Sequence, residues 1–235
     1  MQRKIFRVPT ILQALAWPLT NLLFRFFCRF TVHGADYPLH QNGAPILFVA
    51  NHRSEFDPIA VRAALPLFWR QAPLFYVTAP LKNFDGEKKS WRFKLYSSSW
   101  FFAAWGAFPA KSKTGDYATA LAPHSGLLTK HNGCVLIFPE GKIVRDESVP
   151  PRIHGGAGYL SQLERVVTIP VSISGFAGMT PKSFFFRKHH ASVTFGNPVR
   201  VTNVTTQEGD ENQYIRIARR LMEPVYLGIS AQVMH

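Results

Sequence analysis

The residues of this chain best suited to chemistry lie in one short stretch, Asn51-His52-Arg53-Ser54-Glu55-Phe56-Asp57-Pro58. It follows a continuously apolar run, Pro45-Ile46-Leu47-Phe48-Val49-Ala50, which reads as a strand buried on both faces. Asp57-Pro58 reads as a helix start, with aspartate as N-cap and proline at the first helical position. On a continuous helix, residues five apart point about 140° away from each other. A strand–turn–helix path instead lets the chain double back and brings the Asp57 carboxylate to the His52 imidazole. A carboxylate on one ring nitrogen fixes the tautomer and leaves the other nitrogen as a base. It also stabilises the imidazolium formed when that base takes a proton.

A second candidate, Phe138-Pro139-Glu140-Gly141, closes the apolar run Cys134-Val135-Leu136-Ile137-Phe138 and places Glu140 88 residues after His52. A glutamate at a strand end, followed by a glycine that permits a tight turn, suits gripping a polyol or phosphate. A plain strand-to-loop turn with an exposed glutamate accounts for the same residues. Either motif alone is common.

The elements around these motifs predict an α/β fold, a mainly parallel sheet wrapped by helices. Leu74–Ala79, Val166–Ile173 and Ala191–Phe195 read as further strands, and Trp91–Phe102, Asp116–Lys130 and Glu211–Tyr226 as helices. There is no internal repeat or linker, so residues 35–235 read as one domain behind an N-terminal segment, 1–34. Two cysteines, Cys28 and Cys134, make no disulfide framework and read as small buried hydrophobes.

The formal charge of +13 draws the chain to polyanions, nucleic acid or an anionic membrane face. Cations interleaved with aromatics, as in Phe24-Arg25-Phe26-Phe27-Cys28-Arg29-Phe30, favour the membrane. Zinc-finger spacing, RNP aromatics and basic-zipper heptads are missing, so nucleic acid is not an expected partner. Twenty phenylalanines, some in runs such as Phe184-Phe185-Phe186, exceed what a core needs; some are expected to face lipid or line an acyl-chain pocket. Val8–Phe24 carries no charge, but its 17 residues, broken by Pro9 and Pro18, sit at the lower limit for crossing a bilayer. Asn21, Arg25 and Arg29 form a narrow polar stripe at i, i+4 and i+8. Two short helices lying in the membrane interface are expected, with the arginines reaching phosphates; a helix packed on the domain is the alternative. Five Lys/Arg and no acids in residues 1–30 point to a monotopic association with the cytoplasmic face.

Taken together, Asn51-His52-x-x-x-x-Asp57 and Phe138-Pro139-Glu140-Gly141 resemble the first and third blocks of the lysophosphatidic acid/glycerol-3-phosphate acyltransferase superfamily, the PlsC-like enzymes. Gly106-Ala107-Phe108-Pro109-Ala110-Lys111 looks like the second block and Val167–Ile173, with Pro170 at its centre, like the fourth. The resemblance implies a general base at His52 oriented by Asp57. The acyl donor is then a thioester of CoA or acyl carrier protein and the acceptor a lysophospholipid hydroxyl, by default that of lysophosphatidic acid. No acyl-enzyme, bound cofactor or metal is implied. It also implies that Asn51, Lys111, Glu140, Gly141, Lys142 and Arg145 bind substrate. Two positions depart from the pattern: Lys111 where the second block ends in arginine, and Lys142-Ile143 where Thr-Arg is usual. Arginine grips phosphate bidentately and lysine does not, so a larger head group or a lyso-aminolipid acceptor is an open alternative. A non-catalytic lipid-binding protein and a CoA-independent transacylase are the others.

Overall fold

The computed structural model describes residues 2–78, 99–111, 116–144, 151–200 and 212–228. Seven strands form its sheet: β1 (Thr31–His33), β2 (Ile46–Ala50), β3 (Leu74–Thr78), β4 (Ala107–Pro109), β5 (Cys134–Ile137), β6 (Val167–Ser174) and β7 (Ser192–Phe195). Their order is β1-β7-β6-β2-β5-β3-β4. Every neighbouring pair is parallel except β6 and β7, which are antiparallel. The mainly parallel sheet expected from the alternating pattern is therefore present, with one hairpin-like connection near its edge.

Side chains alternate across a strand, and β2 and β5 are apolar at every position. Ile46, Phe48, Ala50, Cys134 and Leu136 face one core, whereas Leu47, Val49, Val135 and Ile137 face the other. The first core is covered by α1 (Gln2–Phe27) and α3 (Asp57–Ala64), the second by α6 (Ala122–His131), α7 (Gly156–Ser161) and α9 (Gln213–Tyr226). The shorter helices are α2 (Asp36–Leu39), α4 (Ser99–Ala104), α5 (Tyr117–Ala120) and α8 (Pro181–Phe185). The helix expected over 116–130 is thus two, broken at Leu121 ahead of Pro123. Of the helix expected over 91–102, positions 91–98 lie outside the described residues, as do position 211 of the 211–226 helix and Ala79. Pro170 has no N–H to donate, and β6 accommodates it at the gap on its β7 side. Val171 to Ser174 pair with β7 while Thr168 bridges to Val199. Both cysteines are buried and free.

The N-terminal segment departs from expectation. It is one helix of 26 residues, running through Pro9 and Pro18. A proline inside a helix costs about 3 kcal/mol, but side chains tether α1 to the domain on both sides of Pro18. Gln13 Nε2 donates to the carbonyls of Leu74 and Trp105 at 2.8 and 3.0 Å, and Leu74 N–H donates back to its Oε1 at 2.9 Å. Trp17 Nε1 donates to Leu65 O at 2.7 Å and Asn21 Nδ2 to Ala63 O at 2.9 Å. At about 0.5–1.5 kcal/mol per bond, these five together are of the same size as the cost of the two prolines. Asn21 is consequently buried rather than part of an outward stripe; Arg25 donates to its Oδ1, and Arg29 lies past the helix end at φ 45°. The outward face carries Val8, Ile11, Leu15, Leu19, Leu22 and Phe26, all exposed. At 100° per residue these six fall within about 80° of one another. The helix thus buries Gln13 and Asn21 together with Phe24 against the domain and turns an apolar stripe to the outside.

Candidate active site

β2 and β5 are adjacent and parallel, with Val49 in register with Ile137, so both run out at the same sheet edge. Sites in α/β sheets form at the carboxyl ends of strands, and both motifs lie at this one. Asn51 prolongs β2 with its side chain: its Oδ1 accepts from Ile173 N–H and its Nδ2 donates to Ile173 O, both at 2.8 Å. A side-chain amide here continues the backbone ladder to β6 for one more residue. Both polar atoms of the Asn51 amide are engaged in this way.

His52 comes next. Its N–H donates to Glu140 Oε2 at 2.8 Å and its carbonyl accepts from Val144 N–H at 2.8 Å. Its ring stacks on Phe138, 4.1 Å between centroids at 16°. Nδ1 lies 2.9 Å from Asp57 Oδ2. A carboxylate only accepts, so Nδ1 carries the proton and the lone pair is on Nε2. The His52 side chain keeps 18% of its surface exposed, whereas Asp57 has none. Among the described residues no group hydrogen-bonds to Nε2. The arrangement is a base with its open nitrogen toward the outside and its closed one held by a buried carboxylate.

Asp57 does not cap α3, as the Asp-Pro pair suggests. It is the first helical residue, and Phe56 precedes the helix. Its Oδ2 turns back to accept from the backbone N–H groups of Arg53, at 2.6 Å, and Ser54, at 2.9 Å. Two amide donors and the imidazole therefore meet on one oxygen, which folds the 52–57 turn around the carboxylate. The expected meeting of His52 and Asp57 occurs, through a reverse turn rather than a cap.

Glu140 is 2% exposed and its carboxylate points inward. Besides the His52 amide it accepts from Tyr226 Oη at 2.9 Å, and Arg53 Nη1 stands 3.8 Å from Oε1. Burial raises its pKa above the ordinary carboxyl value, against the opposing effects of these donors and of the Arg53 charge. The Tyr226 phenol is pushed up by burial and then by the neighbouring carboxylate, so it stays a donor. Tyr226 ends α9, 174 residues after His52, and neither motif nor spacing announces it. Arg53 also donates to Val144 O at 3.3 Å.

Gly141, Lys142 and Lys111 are exposed at the same edge. Gly141 has φ +68°, and a Cβ there would lie 3.0 Å from the His154 ring, so glycine is needed for this loop and His154 to lie side by side. Partial burial and the Arg152 charge lower the His154 pKa, which keeps it neutral near pH 7. Lys111 follows β4, three strands from β2; at about 4.8 Å per strand it stands roughly 14 Å across the edge from His52. Arg145 lies outside the described residues. Among the described residues no cluster of three His, Cys, Asp or Glu side chains could hold a metal ion.

The geometry can be set beside known proteins. No curated protein matches the chain. Among solved structures, the 1-acyl-sn-glycerophosphate acyltransferase PlsC from Thermotoga maritima is similar at a TM-score of 0.57 and 14% identity. The match covers 95% of this chain and 82% of that one, and at this identity the likeness is one of fold. The family model for Acyltransferase matches residues 29–174, well over half of the chain. That span runs from the end of α1 to the last residue of β6 and contains His52, Asp57 and Glu140. A helix-wrapped, mainly parallel sheet, an imidazole with an open nitrogen at one strand end and a family match across both place the chain in the Acyltransferase family.

Proposed function

We propose that this acyltransferase moves a fatty acyl group from a thioester of CoA or acyl carrier protein to the free hydroxyl of a lysoglycerolipid. Lysophosphatidic acid, giving phosphatidic acid for phospholipid synthesis, is the default acceptor. The observation that carries the reading is the His52–Asp57 pair with Nε2 left open. In this mechanism Nε2 takes the proton of the acceptor hydroxyl as its oxygen attacks the thioester carbonyl. The C–O bond forms, the C–S bond breaks, and the imidazolium returns the proton to the departing thiolate. Asp57 keeps Nδ1 protonated and stabilises the transient cation. Positioned general-base catalysis contributes about 10²–10⁴ in rate, and orientation of donor and acceptor supplies much of the remainder. Glu140, whose carboxylate is occupied by His52, Arg53 and Tyr226, acts in this reading by fixing the base. Lys111, Lys142 and Gly141, with Arg145, meet the acceptor's head group.

The substrates are lipids, and the outward apolar stripe of α1 supports a peripheral, monotopic seat on an anionic membrane, on its cytoplasmic face. Among the described residues no helix is long and apolar enough to cross a membrane. The test is thiol release from acyl-CoA and from acyl carrier protein across a panel of lysolipids, with His52→Ala alongside. Acceptor-dependent release that His52→Ala abolishes is expected, and the preferred acceptor identifies the head group that the two lysines meet. Full activity in His52→Ala overturns the mechanism, and lipid binding without turnover by any donor returns the non-catalytic reading.

A further inference from the structure

We propose that the connection between β6 and β7, residues 175–191 with α8 at its centre, is a second membrane-contacting element, which joins the end of α1 in one patch fitted to an anionic lipid surface. The inference rests on the membrane reading above and places a contact that the N-terminal helix alone does not supply.

The connection is a built structure. Phe176 roots it in the core against Phe24 and Phe30, at ring distances of 5.2 and 6.2 Å. Thr180 and Ser183 form a capping box at the start of α8. His189 closes the loop, with Nδ1 3.0 Å from Gly175 O and Nε2 2.8 Å from Ser183 Oγ. His189 thus serves as a strut of the connection. This frame holds two adjacent side chains, Phe185 and Phe186, 64% and 68% exposed. Burying such rings in apolar surroundings is favourable, and the fold leaves them outside.

They are continuous with α1. Phe27 packs on Phe184 and Phe185 at 4.9 and 5.4 Å and on Phe26 at 4.8 Å. Phe26, 54% exposed, is the last member of the outward stripe of α1, and the Arg187 guanidinium lies 4.8 Å over its ring. Arg29 Nη1 reaches His190 Nε2 at 2.7 Å. The charges select the occupant. Residues 175–191 contain Lys182, Arg187 and Lys188 and no acid, and the chain has no acid before Asp36. An apolar centre with a rim of cations alone complements a bilayer with anionic head groups, where apolar groups enter the acyl boundary and Lys/Arg meet phosphates.

The test is co-sedimentation of the full chain, freed of detergent, with phosphatidylcholine vesicles containing or lacking phosphatidylglycerol. The variants are Phe185→Ser/Phe186→Ser, Lys182→Gln/Lys188→Gln and, in α1, Leu15→Ser/Leu19→Ser. The double Phe variant is expected to lose at least tenfold in partitioning to phosphatidylglycerol vesicles. Acyl transfer to a short-chain lysolipid below its micelle concentration stays as in the parent, which shows the fold intact. The Lys variant is expected to lose about fivefold per charge on phosphatidylglycerol vesicles alone, and less at high salt. If the α1 variant loses binding and the double Phe variant keeps it, this proposal fails and the membrane reading stands. If the parent binds no vesicle, both fail. If the double Phe substitution turns a dimer into a monomer and leaves vesicle binding unchanged, the patch mates with a second copy and the proposal is overturned.

Discussion

Glu140 invites two roles, and one substitution separates them. Its carboxylate is the acceptor for the His52 amide at 2.8 Å, so Glu140→Ala leaves that N–H without a partner. The cost of an unsatisfied buried donor is about 1–3 kcal/mol. If it falls on the placement of the base, kcat drops by about 5–150-fold at 1.4 kcal/mol per tenfold. Glu140→Gln retains an oxygen for the His52 amide, and its NH2 can donate to Tyr226 Oη, so only the charge is lost and the drop is about fivefold. Steady-state kinetics at saturating acyl thioester, with acceptor varied, read both, and the KM for acceptor is expected to stay constant. A kcat that survives Glu140→Ala while the acceptor KM rises more than tenfold would refute the reasoning, because Glu140 would then grip the acceptor itself. The pH dependence adds a sign. Burial raises the Glu140 pKa, so activity falls as pH drops through that raised value and the carboxylate is protonated. The Tyr226 hydrogen bond lowers it, so Tyr226→Phe moves the acid limb to higher pH, and Glu140→Gln removes this contribution. For stability, the folded chain holds the proton more tightly than the unfolded one between the two pKa values. Stability from this group therefore decreases as pH rises through that window, a slope that Glu140→Gln flattens in pH-dependent denaturation.

Asp57→Asn keeps an oxygen for the Arg53 and Ser54 amides and loses the charge facing the imidazolium; activity is expected to fall by about 10²–10⁴, with stability lower by no more than the cost, about 1–3 kcal/mol, of one unpaired buried NH2 at the partnerless Oδ1 position, and an activity loss under threefold contradicts the pair. Gln13→Ala orphans the buried N–H and C=O of Leu74, so a loss of about 1–3 kcal/mol is expected, a Tm lower by about 2–4 °C per kcal/mol in calorimetry; an unshifted Tm means that the Gln13 bonds contribute nothing to holding α1.

The candidate site was legible because its two strands are apolar at every position and end in the two motifs. Runs such as Ile46–Ala50 have no polar face to hide, so they belong at the centre of a parallel sheet. What remained hidden depended on direction. An aspartate before a proline signals a cap that bonds forward into the helix; Asp57 bonds backward to residues 53 and 54, and composition does not distinguish the two. The orientation of α1 was similarly open. Asn21, Arg25 and Arg29 mark a stripe, but only the carbonyls of Ala63, Leu65 and Leu74 decide that Asn21, with Trp17 and Gln13, faces inward. Tyr226 reaches the site through the packing of α9, a long-range event with no local signature.

The way His52 is mounted also bears on how such a site can change over generations. The residue before it is fused to β6, its amide to the loop after β5, its carbonyl to Val144, and its ring is held between Asp57 and Phe138. Nothing that fixes the base belongs to the exposed positions 111, 141 and 142. Under the function proposed above, the reactive group and the surface assigned to the head group are therefore separable parts. The loops could then be exchanged for new acceptors while the base stays where the sheet puts it, and selectivity would be free to drift without endangering turnover.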